Sequence, residues 1–312
     1  MKRFFIRWPV LLVALVQLSG CATVQETGRK QVILMSASQE AEMGLDAFSQ
    51  IKKAEKISRD PAVNARIQRI GKNIAGAVGR DLPNAQWEFV VFESEQINAF
   101  ALPGGKVGVY TGLIKLASSD DEIAVVMGHE VAHVSSRHGA ERQSQAILIG
   151  LGGVALGVGT QNDKNQEYYL LAYGLGSTLG SLAYSREHET EADVVGLRFA
   201  ARAGYDPRAA VTFWTKMAAK ETGGRPPKFL STHPPSQERI ANLQRLAPGL
   251  MPVYEQARAN QAVGGAPAAP AAAPAPATGP GNAPANVTPT KPAAPAKPAT
   301  TEQEELKRFL GR

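Results

Sequence analysis

The chain has 312 residues, room for one or two domains. Hydrophobic residues make up 44% and charged residues 20%, and the mean hydropathy is −0.18, which supplies a core but excludes a polytopic membrane protein. A single cysteine, Cys21, excludes an internal disulfide, a cysteine zinc ribbon and a CxxC redox motif. The net charge of +6 comes without a dense basic stripe, so nucleic acid is not expected as a partner.

In chain order, residues 1–20 read as a bacterial export signal. Lys2, Arg3 and Arg7 form a positive start, and an apolar run over 8–18 follows. The sequence Leu18-Ser19-Gly20-Cys21 then resembles a lipobox, which predicts lipidation of Cys21 and a membrane anchor. Ala22 rather than Asp at the next position favours an outer membrane lipoprotein on the periplasmic face. Periodicity predicts helices over 37–56 and 61–79, strands over 86–92 and 106–111, and a helix over 119–138. Two Gly-rich apolar stretches, 146–160 and 169–184, are too short to span a bilayer and read as buried core helices or a flap over a cleft. Helices are expected at 185–203, 207–221 and 235–246. Trp87 and Trp214 are expected in the core.

The globular zone is bounded at 21–255. Residues 256–300 read as a disordered linker, with 15 Ala and 10 Pro between 261 and 300, because such a segment buries too little apolar area to offset its ordering entropy. Residues 301–312 form a short amphipathic segment with Leu306, Phe309 and Leu310 on one face.

The chemistry is carried by the run from Ser119 to His133. Ser119 and Glu122 suit a capping box, and Asp120 and Asp121 suit a helix N-terminus. His129 and His133 therefore fall one turn apart on a helix, where two imidazoles can grip one metal ion. Glu130, beside the first histidine, is placed to act as a base without being a ligand. A catalytic zinc site usually has three protein ligands, so one more is needed. In the longer HExxHxxGxxH pattern the glycine falls at Ser136 and the third histidine is missing, so that pattern fails. The run 184–196 offers Glu189 and Asp193 at i and i+4. A Glu189 carboxylate would complete a gluzincin-like His₂Glu set, and Asp193 would hold a ligand histidine by its other nitrogen. The same run also suits a charged, exposed helix face. Glu191 points elsewhere and reads as solvated, and His138 and His188 as solvated or locally bonded.

HEVAH at 129–133, SREHETEAD at 185–193, AGYDP at 203–207 and STHPPSQERI at 231–240 resemble the HtpX-like and CAAX-prenyl-protease-type family of zinc metallopeptidases. The resemblance is nearest to its periplasmic lipoprotein members. Residues 98–105 and 111–113 fit the same pattern. The resemblance implies an α+β, mostly helical zincin-like fold with a small β-sheet. It also implies one zinc ion per chain, held by His129, His133 and Glu189, with Glu130 as catalytic base and acid and Asp193 behind the ligands. It brings His233 near the metal, as a fourth ligand or an oxyanion donor. The implied function is a zinc endopeptidase that degrades misfolded or stalled envelope proteins. The alternative is a chaperone or assembly factor for outer-membrane proteins, with latent protease activity and contact to the assembly machinery. Strand 106–111 suits a sheet edge beside the cleft that pairs with extended substrate, and equally an ordinary sheet strand.

Overall fold

The computed structural model describes residues 21–221 and 227–262. The stretch read as an export signal, most of the one read as a linker and the 301–312 segment lie outside the described residues. A short antiparallel pair, β1 (Cys21–Thr23) and β2 (Lys30–Val32), opens the fold. Helices α1 (Ala37–Ala54) and α2 (Pro61–Val78) follow, then strands β3 (Glu88–Phe92), β4 (Ala99–Leu102) and β5 (Lys106–Tyr110). The remaining elements are α3 (Thr111–Leu116), α4 (Asp120–Ser135), α5 (His138–Gly159), α6 (Gln166–Arg202), α7 (Ala209–Glu221), α8 (Lys228–Thr232) and α9 (Gln237–Ala262). The α+β, mostly helical class expected from the sequence is the one observed. Among the described residues no helix is long and apolar enough to cross a membrane.

Each early helix has its start written locally. Ser36 closes a capping box with Gln39 at α1. Asp60 accepts from the amides of Ala62 and Val63 at α2, with Pro61 in the first turn. The apolar face of α2, Ile67, Ile70 and Ile74, is fully buried in one core with Phe89, Val91, Val107 and Val109 of the sheet. Phe48 of α1 closes a smaller aromatic cluster with Phe92 and Tyr110. Trp214 is buried, and Trp87 is half-buried and stacked on Phe89.

The sheet corrects one expectation. Its order is β3-β5-β4, with β3 parallel and β4 antiparallel to β5. Strand 106–111 is therefore the centre of the sheet, not its edge, and every residue of β5 is buried. The open edge belongs to β4, which packs on α4. The hairpin between β4 and β5 turns on Gly104 and Gly105, at φ 85° and 81°, backbone that only glycine adopts freely.

The apolar stretches correct a second. Residues 146–160 and 169–183 are not buried in the core. They form an antiparallel pair from the far halves of α5 and α6, tied by Tyr173 Oη donating to Ile149 O at 2.7 Å and Gln166 Nε2 to Gly157 O at 2.7 Å. Leu151, Val154, Leu175 and Leu179 stand mostly in solvent. The expected helix at 185–203 is the last half of α6, which runs unbroken for 37 residues.

Candidate metal centre

The interior of the protein is organised around α4. Ser119 Oγ accepts from the Glu122 amide at 3.2 Å and starts the helix. The Glu122 carboxylate accepts from the Ser118 amide at 2.7 Å and pairs with Lys216. Every residue from Glu122 to Val134 is buried, because α2, α6, α7 and β4 all pack on this helix. A helix enclosed on all sides can carry His129, Glu130 and His133 only if those polar groups find partners inside.

The partners arrive on α6. The two helices cross at Gly128 and Gly196, where a Cβ on Gly196 would sit 2.6 Å from the His129 amide nitrogen. This backbone-to-backbone approach sets Glu189 and Asp193 against the two histidines. Glu189 Oε2 lies 3.4 Å from His129 Nε2, and Oε1 lies 3.3 Å from His133 Nε2. The two Nε2 atoms are 3.1 Å apart. His233, just after α8, packs against the Phe229 ring at a tilt of 33° and brings Nδ1 to 3.3 Å from His129 Nε2 and 3.0 Å from Glu189 Oε2.

These donors fit one metal ion. Ligand atoms of a tetrahedral ion with bonds of about 2.0–2.2 Å stand about 3.3–3.6 Å apart, close to the spacings seen. The four donor atoms of His129, His133, Glu189 and His233 lie within 4.8 Å of one another. Lone pairs so crowded need a cation or a shared proton between them. Burial works against a charged His129, yet its contacts with Asp193 and Glu189 raise it to about 9. Burial lowers His133 to about 3. The carboxylates that hold a proton on His129 are the groups that would favour a metal ion in its place.

Glu130 is buried beside this cluster, and its Oε1 makes no hydrogen bond within the protein. Burial raises its pKa, against the nearby His233 and His129, which suits a group that must take and return a proton. His233 Nε2 lies 3.4 Å from its Oε1. A cavity of about 280 Å³ runs between α1, β4 and the start of α5. Met43, Leu102, Val134 and His133 line it together with Glu40, Arg137 and Arg142, so a pocket of mixed apolar and charged lining adjoins the cluster.

Asp193 sits behind His129, its Oδ1 3.0 Å from Nδ1. Burial opposes its charge, but the Arg239 guanidinium holds its carboxyl below the usual carboxylate range. Arg239 grips Asp193 with two hydrogen bonds of 2.7 Å. It also lies 3.0 Å from Glu189 Oε2, donates to Pro234 O and stacks over Trp214. Sequence reasoning missed Arg239. No local signal could have found it, because the carboxylate that it grips stands 46 residues away in the chain. Two other expectations change. The run around Glu189 is not an exposed charged face, and Glu191 is not solvated: Arg29, Thr27 and His138 enclose it. His138 and His188 are locally bonded and fully buried.

An HExxH helix crossed by a second helix that brings Glu189 and Asp193 to the same point defines a metallopeptidase domain. The chain belongs to peptidase family M48, whose profile matches residues 61–247. It is 35% identical to mitochondrial metalloendopeptidase OMA1 of Schizosaccharomyces pombe over 187 residues, which are 58% of this chain and 52% of that protein. It is 32% identical to the mitochondrial metalloendopeptidase OMA1 of Bos taurus over 247 residues, 73% of this chain and 46% of that protein. It is 27% identical to the beta-barrel assembly-enhancing protease of Escherichia coli over 242 residues, 75% of this chain and 49% of that protein. The chain spans about half the length of these relatives.

Proposed function

We propose that the protein is a zinc-dependent endopeptidase acting on misfolded or stalled envelope proteins. His129, His133 and Glu189 hold one zinc ion per chain, Asp193 orients His129, and His233 takes the fourth position. The observation that carries the reading is Glu130: a buried carboxylate with an unbonded oxygen, beside three imidazoles and a carboxylate that converge within 4.8 Å. When bound, zinc supplies a Lewis acid that polarises the scissile carbonyl and lowers the pKa of the attacking water to about 7. Glu130 takes the proton of that water as it attacks and returns it to the leaving amine. His233, whose Nδ1 faces the other donors and whose Nε2 lies 3.4 Å from Glu130 Oε1, would have to move aside for water and substrate to enter. The open edge of β4 offers backbone amides and carbonyls to an extended chain beside α4. Pairing of that kind selects unfolded polypeptide rather than a sequence.

Two features support an envelope site of action. One is the lipobox-like run that ends at Cys21, which anchors the chain as an outer membrane lipoprotein on the periplasmic face. The other is the likeness to a beta-barrel assembly-enhancing protease, which makes the outer-membrane assembly machinery a partner.

The test is degradation of casein and of an unfolded porin by the full chain in detergent, with zinc, against Glu130→Gln. Loss of a general acid–base should slow cleavage by about 10²–10⁴-fold while zinc binding is kept. Equal rates for the two proteins would refute the role of Glu130. If neither cleaves although both bind one zinc, His233 keeps the site shut and the assembly-factor reading takes over.

A further inference from the structure

Beneath the metal centre lies a second polar cluster that the peptide chemistry does not use. Arg29, His138, Glu141, His188 and Glu191 are all within it, none more than 4% exposed. Glu191 Oε2 accepts from Arg29 Nε at 2.8 Å, and its other oxygen from the Thr27 hydroxyl. Glu141 accepts two hydrogen bonds from the same guanidinium, at 2.9 and 2.7 Å. His188 Nε2 meets Glu141 at 2.9 Å, and its ring stacks on His138 at 4.2 Å and 13°.

His138 joins this cluster to the metal centre. Its Nε2 lies 2.8 Å from Glu191 Oε2, and its Nδ1 lies 2.8 Å from His133 Nδ1. The backbone makes this possible at Arg137, whose φ of 57° and ψ of 31° turn the chain back so that α5 begins under α4. Arg137 is held in that left-handed conformation by Glu40 and by the Met35 carbonyl.

The hydrogen bonds fix the tautomers. With Nε2 of His133 turned to the other ligands, the proton of that ring must be on Nδ1, so it donates to His138 Nδ1. His138 then carries its own proton on Nε2 and donates to Glu191. The two ligand histidines are thus backed in different ways. His129 faces its carboxylate, Asp193, directly, and Arg239 clamps that carboxylate. His133 reaches its carboxylate, Glu191, through one more imidazole, and Arg29 clamps that one.

We propose that His138 is a positioning residue for His133, and that it carries the hold of the buried Glu191–Arg29 pair to the metal centre. The proposal rests on the ligand set given above. It assigns to His138 the fixing of ring orientation and donor strength at His133, without contact to substrate.

Zinc affinity, read by competition with a chromophoric chelator on the full chain in detergent, tests it. His138→Phe keeps the stacking on His188 but removes the acceptor. It should weaken zinc binding by about 10–100-fold, the usual cost of losing such a partner, and Glu191→Gln should weaken it less in the same direction. Binding by folded His138→Phe within about twofold of the unsubstituted chain overturns this inference alone. An unsubstituted chain that binds no zinc overturns the ligand set and this inference with it. If His138→Phe does not fold, ¹⁵N-histidine spectra of the zinc-loaded unsubstituted chain decide. A proton on His138 Nε2 with a bare Nδ1 supports the relay, and a proton on His138 Nδ1 overturns it.

Discussion

Asp81 shows how a half-buried carboxyl beside another carboxylate reads out in stability. Burial pushes its carboxyl up to about 7, and the neighbouring Glu26 carboxylate adds to the shift. An unfolded aspartate titrates near about 3.9. Between those values the folded chain keeps a proton that the unfolded chain has lost. The contribution of this group is therefore fully present below about pH 4 and lost as pH rises to about 7. Asp81→Asn cannot ionise. Its melting temperature should match that of the unsubstituted chain near pH 4 and exceed it at pH 8; an unchanged difference between the two pH values would sink the claim. At this scale the sequence was legible where partners are close in the chain. His129 and His133 are one helical turn apart, as are Glu189 and Asp193, and their shared face follows from 3.6 residues per turn. Arg29 and Arg239 were not legible, because their carboxylates stand 162 and 46 residues away. A side chain's burial depends on a fold that local pattern does not contain. Glu191 was misread for the same reason: its neighbours on α6 say nothing of Arg29 arriving from the N-terminal segment.

Between elements, the α4–α6 crossing sets the geometry of the centre. Glycines 128 and 196 let the backbones touch, so the side chains on either side of the crossing meet without reaching. A methyl group at 196 would fall 2.6 Å from the His129 amide nitrogen and 2.7 Å from its Cα, and backbone cannot yield as a flexible side chain can. Gly196→Ala should destabilise the fold by about 1–3 kcal/mol or more through overpacking. It should also weaken metal binding, although no ligand is changed. Normal melting together with normal zinc affinity would show that the helices can separate at no cost. The early helix starts were readable from caps and apolar spacing, but the full lengths of α5, α6 and α9 were not. Strand order was not: 106–111 alternates no more clearly than an edge strand, and only its pairing on both sides makes it central. The apolar stretches of α5 and α6 misled for a related reason, since an apolar run has the same composition whether neighbours cover it or leave it in solvent.

Across the whole molecule, the centre is held from both ends of the described chain. The N-terminal segment enters through Arg29 to Glu191 and Glu141, and through Glu26 to Arg198 and Arg202 on α6. The C-terminal helix enters through Arg239 to Asp193 and Glu189. Three separate elements then supply the proposed ligands: α4, α6 and the residue that follows α8. An ion bound by all three is bound only by the folded chain, so its binding energy adds to stability. At free zinc about 1,000 times the dissociation constant the gain is about 4 kcal/mol, which for a domain of this size is a rise in melting temperature of roughly 10 °C. A strong chelator should reverse the rise. Glu189→Gln should abolish it by weakening the site, leaving a chain that melts at the same temperature with zinc or with chelator. The two treatments differ only in the ion, so this comparison separates metal linkage from any effect of the substitution on packing. If the unsubstituted chain melts alike with zinc and with chelator, the converging donors hold no metal and the charge on His129 fills the site instead.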